Sequence, residues 1–207
     1  MAKKSKTAEA PKQQVAPVTP RLLERYEKVI RPALAEKLGR GNRHALPRLE
    51  KIVINMGVGS AITEKKHMED ATAALAVISG QKPLVTKSRV AIANFRLRED
   101  LPIGCKVTIR GLRMYEFLDR LISLALPRVR DFRGLNPNAF DGHGNYSLGL
   151  SEQLVFPELN PDKFTRPQGM NVTLVISGGS NDESRELLRG FGMPFKTEEV
   201  TGKAPAA

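Results

Sequence analysis

One stretch, from Gly104 to Gly134, limits the possible folds of this chain more than any other. Its first part alternates apolar and polar side chains, in the order Cys105, Lys106, Val107, Thr108, Ile109 and Arg110. Because successive side chains of a strand point to opposite faces, the apolar set predicts a buried face and the polar set a solvent face. A sheet face that presents cations and a hydroxyl suits a phosphate-rich partner such as RNA.

The rest of this stretch predicts a helix followed by a cationic segment. Apolar residues recur at helical spacing from Met114 to Leu126, and Pro127 is expected to end the helix. Three arginines follow within six residues: Arg128, Arg130 and Arg133. We expect them to contact RNA phosphates, since arginine and lysine make most phosphate contacts in nucleic-acid complexes.

The overall charge supports a polyanionic partner. The 207-residue chain has 33 lysines and arginines against 22 acidic residues, a net charge of +11, and this excess lies in its first two thirds. Such a charge attracts nucleic acid or an acidic membrane surface. No apolar run approaches the roughly 20 residues that a membrane-spanning helix needs, so we expect no membrane partner. The single cysteine excludes an internal disulfide and fits a reducing cytosol.

The order of predicted elements defines the fold class. Local patterns predict a first helix that ends at Leu38 and that Pro32 kinks or divides, and three further helices, Thr63–Ser79, Met114–Leu126 and Ser180–Gly190. The predicted strands are Arg48–Met56, Pro83–Lys87, Gly104–Arg113, Gln153–Phe156 and Met170–Ser177. Loops or a hairpin are predicted for Asp131–Gly149. This irregular alternation favours an α+β fold. We expect an antiparallel-rich sheet with helices packed on one face, and with its polar, basic face and its loops toward RNA.

Composition also predicts how the chain is organised. Residues 1–18 are rich in Lys, Ala, Pro and Gln without apolar periodicity, so we expect a disordered basic N-terminal extension. Residues 19–196 are predicted to form a single α+β RNA-binding domain, and residues 197–207 a flexible C-terminal tail.

No motif in the chain predicts catalysis. The Gly57–Gly59 pair lacks the third glycine of a dinucleotide fingerprint, so we interpret it as a turn that needs the backbone freedom of glycine. The three histidines are not at metal-ligand spacing, and Cys105 falls on the buried side of its strand. We therefore predict neither an enzyme nor a bound metal or cofactor.

A second cationic cluster lies ahead of the alternating strand. It comprises Lys82, Lys87, Arg89, Arg96 and Arg98, and the same 17 residues hold Asn94 and Phe95. RNA-binding surfaces combine such cations with amides, hydroxyls and stacking aromatic rings. Together with Lys106, Thr108 and Arg110, this cluster favours RNA binding over a merely solvated basic surface.

Long motifs in the chain resemble the bacterial large-subunit ribosomal protein L5 family. They cover roughly residues 21–196 in order and read PRLEKIVINMGVG at 47–59, ISGQKPLVTK at 78–87, FRLREDLPIGCKVTIRG at 95–111, MYEFLDRLISLALPRVRDFRG at 114–134, FDGHGNYSLGLSEQLVFPEL at 140–159 and RELLRGFGMPF at 185–195. The resemblance implies a structural constituent of the large subunit in the cytoplasmic ribosome. The N-terminal extension departs from the family pattern.

The resemblance also implies partners and site residues. Family members bind 5S rRNA in the central protuberance beside a neighbouring 5S-associated ribosomal protein, and they approach the large-subunit rRNA. They contact small-subunit protein thirteen and, through a basic loop, the P-site tRNA. Motif matches place 5S rRNA contacts on Asn55, Gln81 and Thr108. The loop 86–98 would face tRNA through Lys87, Arg89 and Arg96.

Two other functions stay open at this point. An anion-binding enzyme would use the turn at Gly57–Gly59 to hold a nucleotide phosphate. A protein–protein adaptor would use the basic face for an acidic partner, and its binding would survive ribonuclease treatment.

Overall fold

A five-stranded antiparallel sheet forms the centre of the fold, as a computed structural model of the chain shows for residues 19–164 and 166–196. The strands are β1 Arg48–Gly57, β2 Leu84–Lys87, β3 Pro102–Ile109, β4 Tyr146–Leu150 and β5 Met170–Ser177. Their spatial order is β2-β3-β1-β5-β4. The predicted N-terminal extension and C-terminal tail lie outside the described residues.

The two faces of the sheet differ in polarity, as the alternation predicts. Buried residues of the three central strands are Leu49, Ile52, Ile54, Met56, Cys105, Val107, Ile109, Met170, Val172, Leu174 and Ile176. The intervening side chains, among them Asn55, Lys106 and Asn171, are exposed on the opposite face. Burial of the apolar set contributes about 25 cal/mol per Å² of apolar surface removed from water.

Helices supply the other half of the core. They are α1 Arg21–Arg25, α2 Arg31–Leu38, α3 Lys66–Ser79, α4 Leu112–Arg120 and α5 Asn181–Phe191. Residues such as Leu75, Phe117 and Leu187 are fully buried in the same hydrophobic cluster as the apolar sheet residues. The α+β prediction, with helices on one face of an antiparallel sheet, is therefore confirmed. None of the described helices is both long and apolar enough to cross a membrane.

Two helices contain irregular turns next to a proline. A π-helical turn at Tyr26–Ile30 joins α1 to α2, directly before Pro32. The turn Leu121–Ala125 after α4 is also π-helical, and a 3-10 turn at Leu126–Arg128 follows it. Proline lacks an N–H and clashes with the preceding turn, which accounts for the loss of regular hydrogen bonding at both places.

Two predicted boundaries or elements are wrong. The strand predicted to Arg113 ends at Ile109, because Gly111 has φ 63 and α4 begins at Leu112. The predicted strand Gln153–Phe156 is a 3-10 turn at Gln153–Val155. The segment Asp131–Gly149, predicted as loops or a hairpin, contains an antiparallel bridge between Phe140 and Tyr146, and β4 begins at Tyr146.

Candidate nucleic-acid interface

A row of polar side chains crosses the exposed face of the sheet at Asn55. On one side Asn55 is the register partner of Lys106, and on the other side it is the partner of Asn171. All three residues are exposed. The row ends at Gly149 on β4. Directly opposed residues on neighbouring strands lie about 5 Å apart, so these amides and the ammonium group form one continuous patch.

The structure brings Gln81 and Thr108 together. The side-chain Nε2 of Gln81 donates to the Thr108 carbonyl oxygen at 2.8 Å. Gly80, with φ 67, ends α3 in a left-handed conformation, and the N–H of Gln81 donates to the Ser79 hydroxyl oxygen at 3.4 Å. Because Nε2 is engaged, the Oε1 atom of Gln81 is the one available to accept from an RNA hydroxyl. The half-buried Thr108 lies on the same face, opposite Val53.

The predicted cationic contacts are exposed, and all of them except Lys87 lack an acidic partner among the described residues. Within residues 19–164 and 166–196, no ion pair involves Lys82, Arg89, Arg96, Lys106, Arg110, Arg128, Arg130 or Arg133. By contrast, cations in and near the N-terminal helices pair with carboxylates, as in Arg21–Asp119 at 2.6 Å and Arg40–Glu183 at 2.8 Å. Unpaired cations are free to displace the counterions of an RNA backbone.

The segment between β2 and β3 continues their pairing as a protruding hairpin, which we call the 88–101 hairpin. At its base the N–H of Ser88 donates to the Leu101 carbonyl oxygen at 2.9 Å, and the N–H of Asp100 donates to the Ser88 carbonyl oxygen at 3.2 Å. The buried Ser88 hydroxyl donates to the Arg98 carbonyl oxygen. These bonds hold the base of the hairpin on the sheet.

The tip of the 88–101 hairpin is both cationic and apolar. Ile92 and Leu97 exchange backbone hydrogen bonds of 2.9 and 3.1 Å, and Arg96 closes the turn with φ 53. Phe95 is 70% exposed, more than any other large hydrophobic side chain among the described residues. Lys87 at the base lies 3.7 Å from the Asp100 carboxylate, so this lysine is the one predicted contact that is already partly neutralised.

Two of the three arginines after α4 lie beside the other edge of the sheet. Arg128 is exposed on the 3-10 turn that follows α4. Arg130 and Arg133 line a groove beside β4. Sheet order separates this groove from β2 and the 88–101 hairpin, because β3, β1 and β5 lie between the two edge strands. The predicted contacts therefore divide among the sheet face and its two edges.

We interpret Gly57 and Gly59 from the sequence as a turn that needs the backbone freedom of glycine, and this reason is wrong. Neither glycine has a positive φ, and a Cβ atom at either position would meet no atom within 4 Å. The turn therefore does not require glycine for backbone freedom.

Cys105 is fully buried, as predicted, and burial raises the pKa of its thiol. A buried, protonated thiol is a poor nucleophile. Among the described residues, no group of three or more His, Cys, Asp or Glu side chains could hold a metal ion.

Some residues of the polar face do not figure in the sequence prediction. Asn171 and Thr173 on β5 share the face with Asn55 and Val53, respectively. Their signal is present in the sequence, since they alternate with Met170, Val172 and Leu174. The local sequence pattern does not predict the strand order, which places β5 next to β1.

Comparisons with known proteins identify the family of the chain. The "Ribosomal protein L5" family matches residues 42–98, and the family model for the C-terminus of the same ribosomal proteins matches residues 102–195. The chain is 59% identical to the large ribosomal subunit protein uL5 of Rhodopirellula baltica, over 91% of this chain and 96% of that protein. It is 55% identical to the protein of the same name from Clostridium tetani, over 86% of this chain and 99% of that protein.

An α+β protein with an exposed polar sheet face and unpaired cations has the architecture of a structural RNA-binding protein. The matches are more specific: the chain belongs to the ribosomal protein L5 family of the large ribosomal subunit. It is accordingly a structural, non-enzymatic protein of the cytoplasmic ribosome. Family membership confirms the prediction that it is not an enzyme, and the enzyme alternative is wrong.

Proposed function

We propose that this protein binds 5S rRNA through the exposed face of its sheet, as part of the central protuberance of the large ribosomal subunit. The observation that supports this most directly is the continuous row Lys106–Asn55–Asn171, next to the Gln81–Thr108 pair. Amides and a hydroxyl on a stiff sheet are suited to the 2′-hydroxyls and base edges of a folded RNA. Lys106 in β3 and Arg110 directly after β3 add phosphate contacts.

Several cations extend this surface. Lys82 follows Gln81 directly, Arg128 is exposed on the turn after α4, and Arg130 and Arg133 line the groove beside β4. We assign these residues to rRNA phosphates, including those of the large-subunit rRNA. Each phosphate that the protein neutralises releases counterions, so the affinity should fall steeply as salt is raised.

The 88–101 hairpin is assigned to the P-site tRNA. It projects from the edge strand β2, away from the groove beside β4, and it carries Arg89 and Arg96 without ion pairs in the described chain. A projecting cationic element is suited to a partner that binds and leaves, because its contacts are few and screened by salt. Lys87 contributes less, since Asp100 already faces it.

The family resemblance supports two protein partners in addition. These are the neighbouring 5S-associated ribosomal protein and small-subunit protein thirteen across the subunit interface. The less basic C-terminal third of the chain, which includes α5, is the part that we assign to protein contacts.

The proposal is tested by binding of the full chain to 5S rRNA across a salt series, with tRNA as competitor. We expect tight binding that tRNA does not displace and whose logarithm falls linearly with the logarithm of salt concentration. Equal and weak binding to both RNAs would contradict the proposal and would favour the adaptor alternative. Ribonuclease treatment of the native complex then distinguishes the RNA-binding function from the adaptor function, because only a protein–protein adaptor keeps its partner after the RNA is digested.

A further inference from the structure

A groove of about 430 Å³ runs beside the edge strand β4. One wall is formed by the chain that follows α4, including Val129 and Leu135, and the other by β4 itself, including Leu148 and Gly149. The volume lies within the range of about 300–1,000 Å³ that is typical of small-molecule sites. The groove could therefore enclose a ligand about the size of one nucleotide.

Hydrogen bonds fix the wall of the groove in place. The N–H of Leu135 donates to the Pro194 carbonyl oxygen at 2.8 Å, and the N–H of Lys196 donates to the Leu135 carbonyl oxygen at 2.9 Å. The Tyr146 hydroxyl donates to the Asn136 carbonyl oxygen at 2.9 Å. A wall that is already ordered costs a ligand little conformational entropy on binding.

The groove contains an unusual backbone conformation. Asp131, one of its lining residues, has φ 53. The other described non-glycine residues with positive φ are Arg96 and Asp100, and both lie in the 88–101 hairpin. Such conformations cluster at ligand-binding sites, where the surrounding structure holds them.

The charges of the groove fit an anion that has an apolar part. Arg130, Arg133 and Lys196 line it together with a single carboxylate, Asp131. None of the three cations forms an ion pair within the described part of the chain. Apolar side chains such as Val129 and Leu148 complete the lining. Cations suit a phosphate, and the apolar wall suits the face of a nucleobase.

The groove is also continuous with the proposed RNA-binding face. Gly149 lines the groove, and it is the register partner of Asn171 in the row that begins at Lys106. An RNA lying along this row would therefore reach the groove as it crosses the edge of the sheet.

We propose that the groove holds one unstacked nucleotide of rRNA. Its base would lie against the apolar wall and its phosphate against Arg130 and Arg133. Asp131 would accept hydrogen bonds from an exocyclic amino group, so guanine would be bound in preference to uracil, which has no such group. This inference rests on the proposed function, because it assigns a particular contact to the same RNA-binding surface.

The test uses backbone amide NMR of the full chain without rRNA. The chain is titrated separately with 5′-GMP, 5′-UMP and ribose 5-phosphate. We expect GMP to shift the amides of both walls, around 129–135 and 148–150, and to bind roughly fivefold more tightly than UMP, as one hydrogen bond allows. Shifts of equal size with ribose 5-phosphate would overturn the proposal, because they would show a phosphate contact without a base site. Absence of localised shifts would also overturn it.

Substitutions make the test specific. Gly149→Leu should abolish the GMP shifts, since a Cβ at Gly149 meets only the Asn171 Oδ1 atom at 3.5 Å and the side chain would fill the groove. Gly57→Leu is the matched control in β1, where a Cβ meets nothing within 4 Å. Asp131→Asn keeps a residue that tolerates positive φ and should remove the preference for GMP over UMP.

Failure of the groove proposal can be distinguished from failure of the proposed 5S rRNA-binding function, because the two are tested by different experiments. The mononucleotide titration needs no 5S rRNA, whereas the salt series needs no mononucleotide. Absence of GMP shifts in the unaltered chain, together with selective 5S rRNA binding, would overturn the groove proposal alone. GMP binding in a chain that fails to bind 5S rRNA selectively would instead contradict the proposed function.

Discussion

The exposed face of the sheet and the 88–101 hairpin are both polar and cationic, but the structure supports them very differently. Behind the face lie fully buried residues such as Ile54 and Cys105. The hairpin has a single buried anchor, Ser88, and it exposes Phe95 and Val90 by 70% and 65%. The face is a rigid template, whereas the hairpin is an exposed element whose contacts are local.

This difference suggests two modes of RNA contact in one small protein. A rigid face is suited to a permanent partner of fixed shape, since little entropy is lost on binding. An exposed hairpin is suited to a partner that binds and dissociates repeatedly, because binding or release of that partner does not disturb the hydrophobic core. We therefore assign 5S rRNA to the face and tRNA to the hairpin, and the following substitutions test that division.

The largest expected effect is on stability. Ile54→Ala removes a fully buried side chain from the centre of β1, so it should lower the free energy of unfolding by about 2–5 kcal/mol. Val90→Ala in the exposed hairpin should change it by no more than about 0.5 kcal/mol. Urea unfolding followed by circular dichroism measures both. Comparable losses would contradict the structural contrast between face and hairpin.

A large effect on tRNA is expected from the hairpin. Replacement of Lys87, Arg89 and Arg96 by alanine should weaken P-site tRNA retention by about tenfold, since each exposed charge pair contributes up to about 1 kcal/mol. The same triple variant should bind 5S rRNA almost as well as the unaltered chain. Dissociation of tRNA from ribosomes that carry the variant measures the first effect, and filter binding the second. A large loss of 5S rRNA affinity would mean that the hairpin is assigned to the wrong partner.

A moderate effect is expected from one hydroxyl on the face. Thr108→Val is nearly isosteric and leaves the Thr108 carbonyl oxygen in its bond to Gln81. We expect 5S rRNA affinity to fall about fivefold, the equivalent of one net hydrogen bond of roughly 1 kcal/mol. Thr72→Val is the matched control, because its hydroxyl bonds to the Met68 carbonyl oxygen within α3. Unchanged affinity of the Thr108 variant would remove this residue from the contact surface.

The smallest effect concerns the salt dependence of binding. Lys106→Gln should reduce the slope of log affinity against log salt by about one, as the loss of one phosphate contact does. Lys28→Gln serves as the control, because Lys28 pairs with Glu24 on the N-terminal helices at 3.1 Å. If both variants gave the same slope, the affinity would come from overall charge and not from the face.

The polarity of the two sheet faces could be predicted because it depends on local sequence alone. Residues of β1, β3 and β5 alternate with period two, and tertiary packing agrees with that pattern. The segment Gln153–Phe156 is wrongly predicted as a strand because its local pattern is ambiguous. It is apolar in composition but too short to show alternation, and Val155 and Phe156 are buried as a 3-10 turn. Composition could not distinguish the two conformations.

The candidate site depends on long-range contacts that no local pattern contains. The bond between Gln81 and Thr108 joins residues 27 positions apart, and it forms only because Gly80 turns the chain back toward β3. The groove beside β4 likewise requires the chain near Leu135 to pair with the segment at Phe195. The residue types were visible in the sequence, but their proximity was not.

The most direct test of the central claim is photo-crosslinking from each region to 5S rRNA. A p-benzoylphenylalanine at position 171 would lie in the polar row of the face, and one at position 95 would replace the exposed ring at the hairpin tip. We predict crosslinks to 5S rRNA from position 171 and none from position 95. Crosslinks from position 95 alone would contradict the division of function between the rigid face and the hairpin.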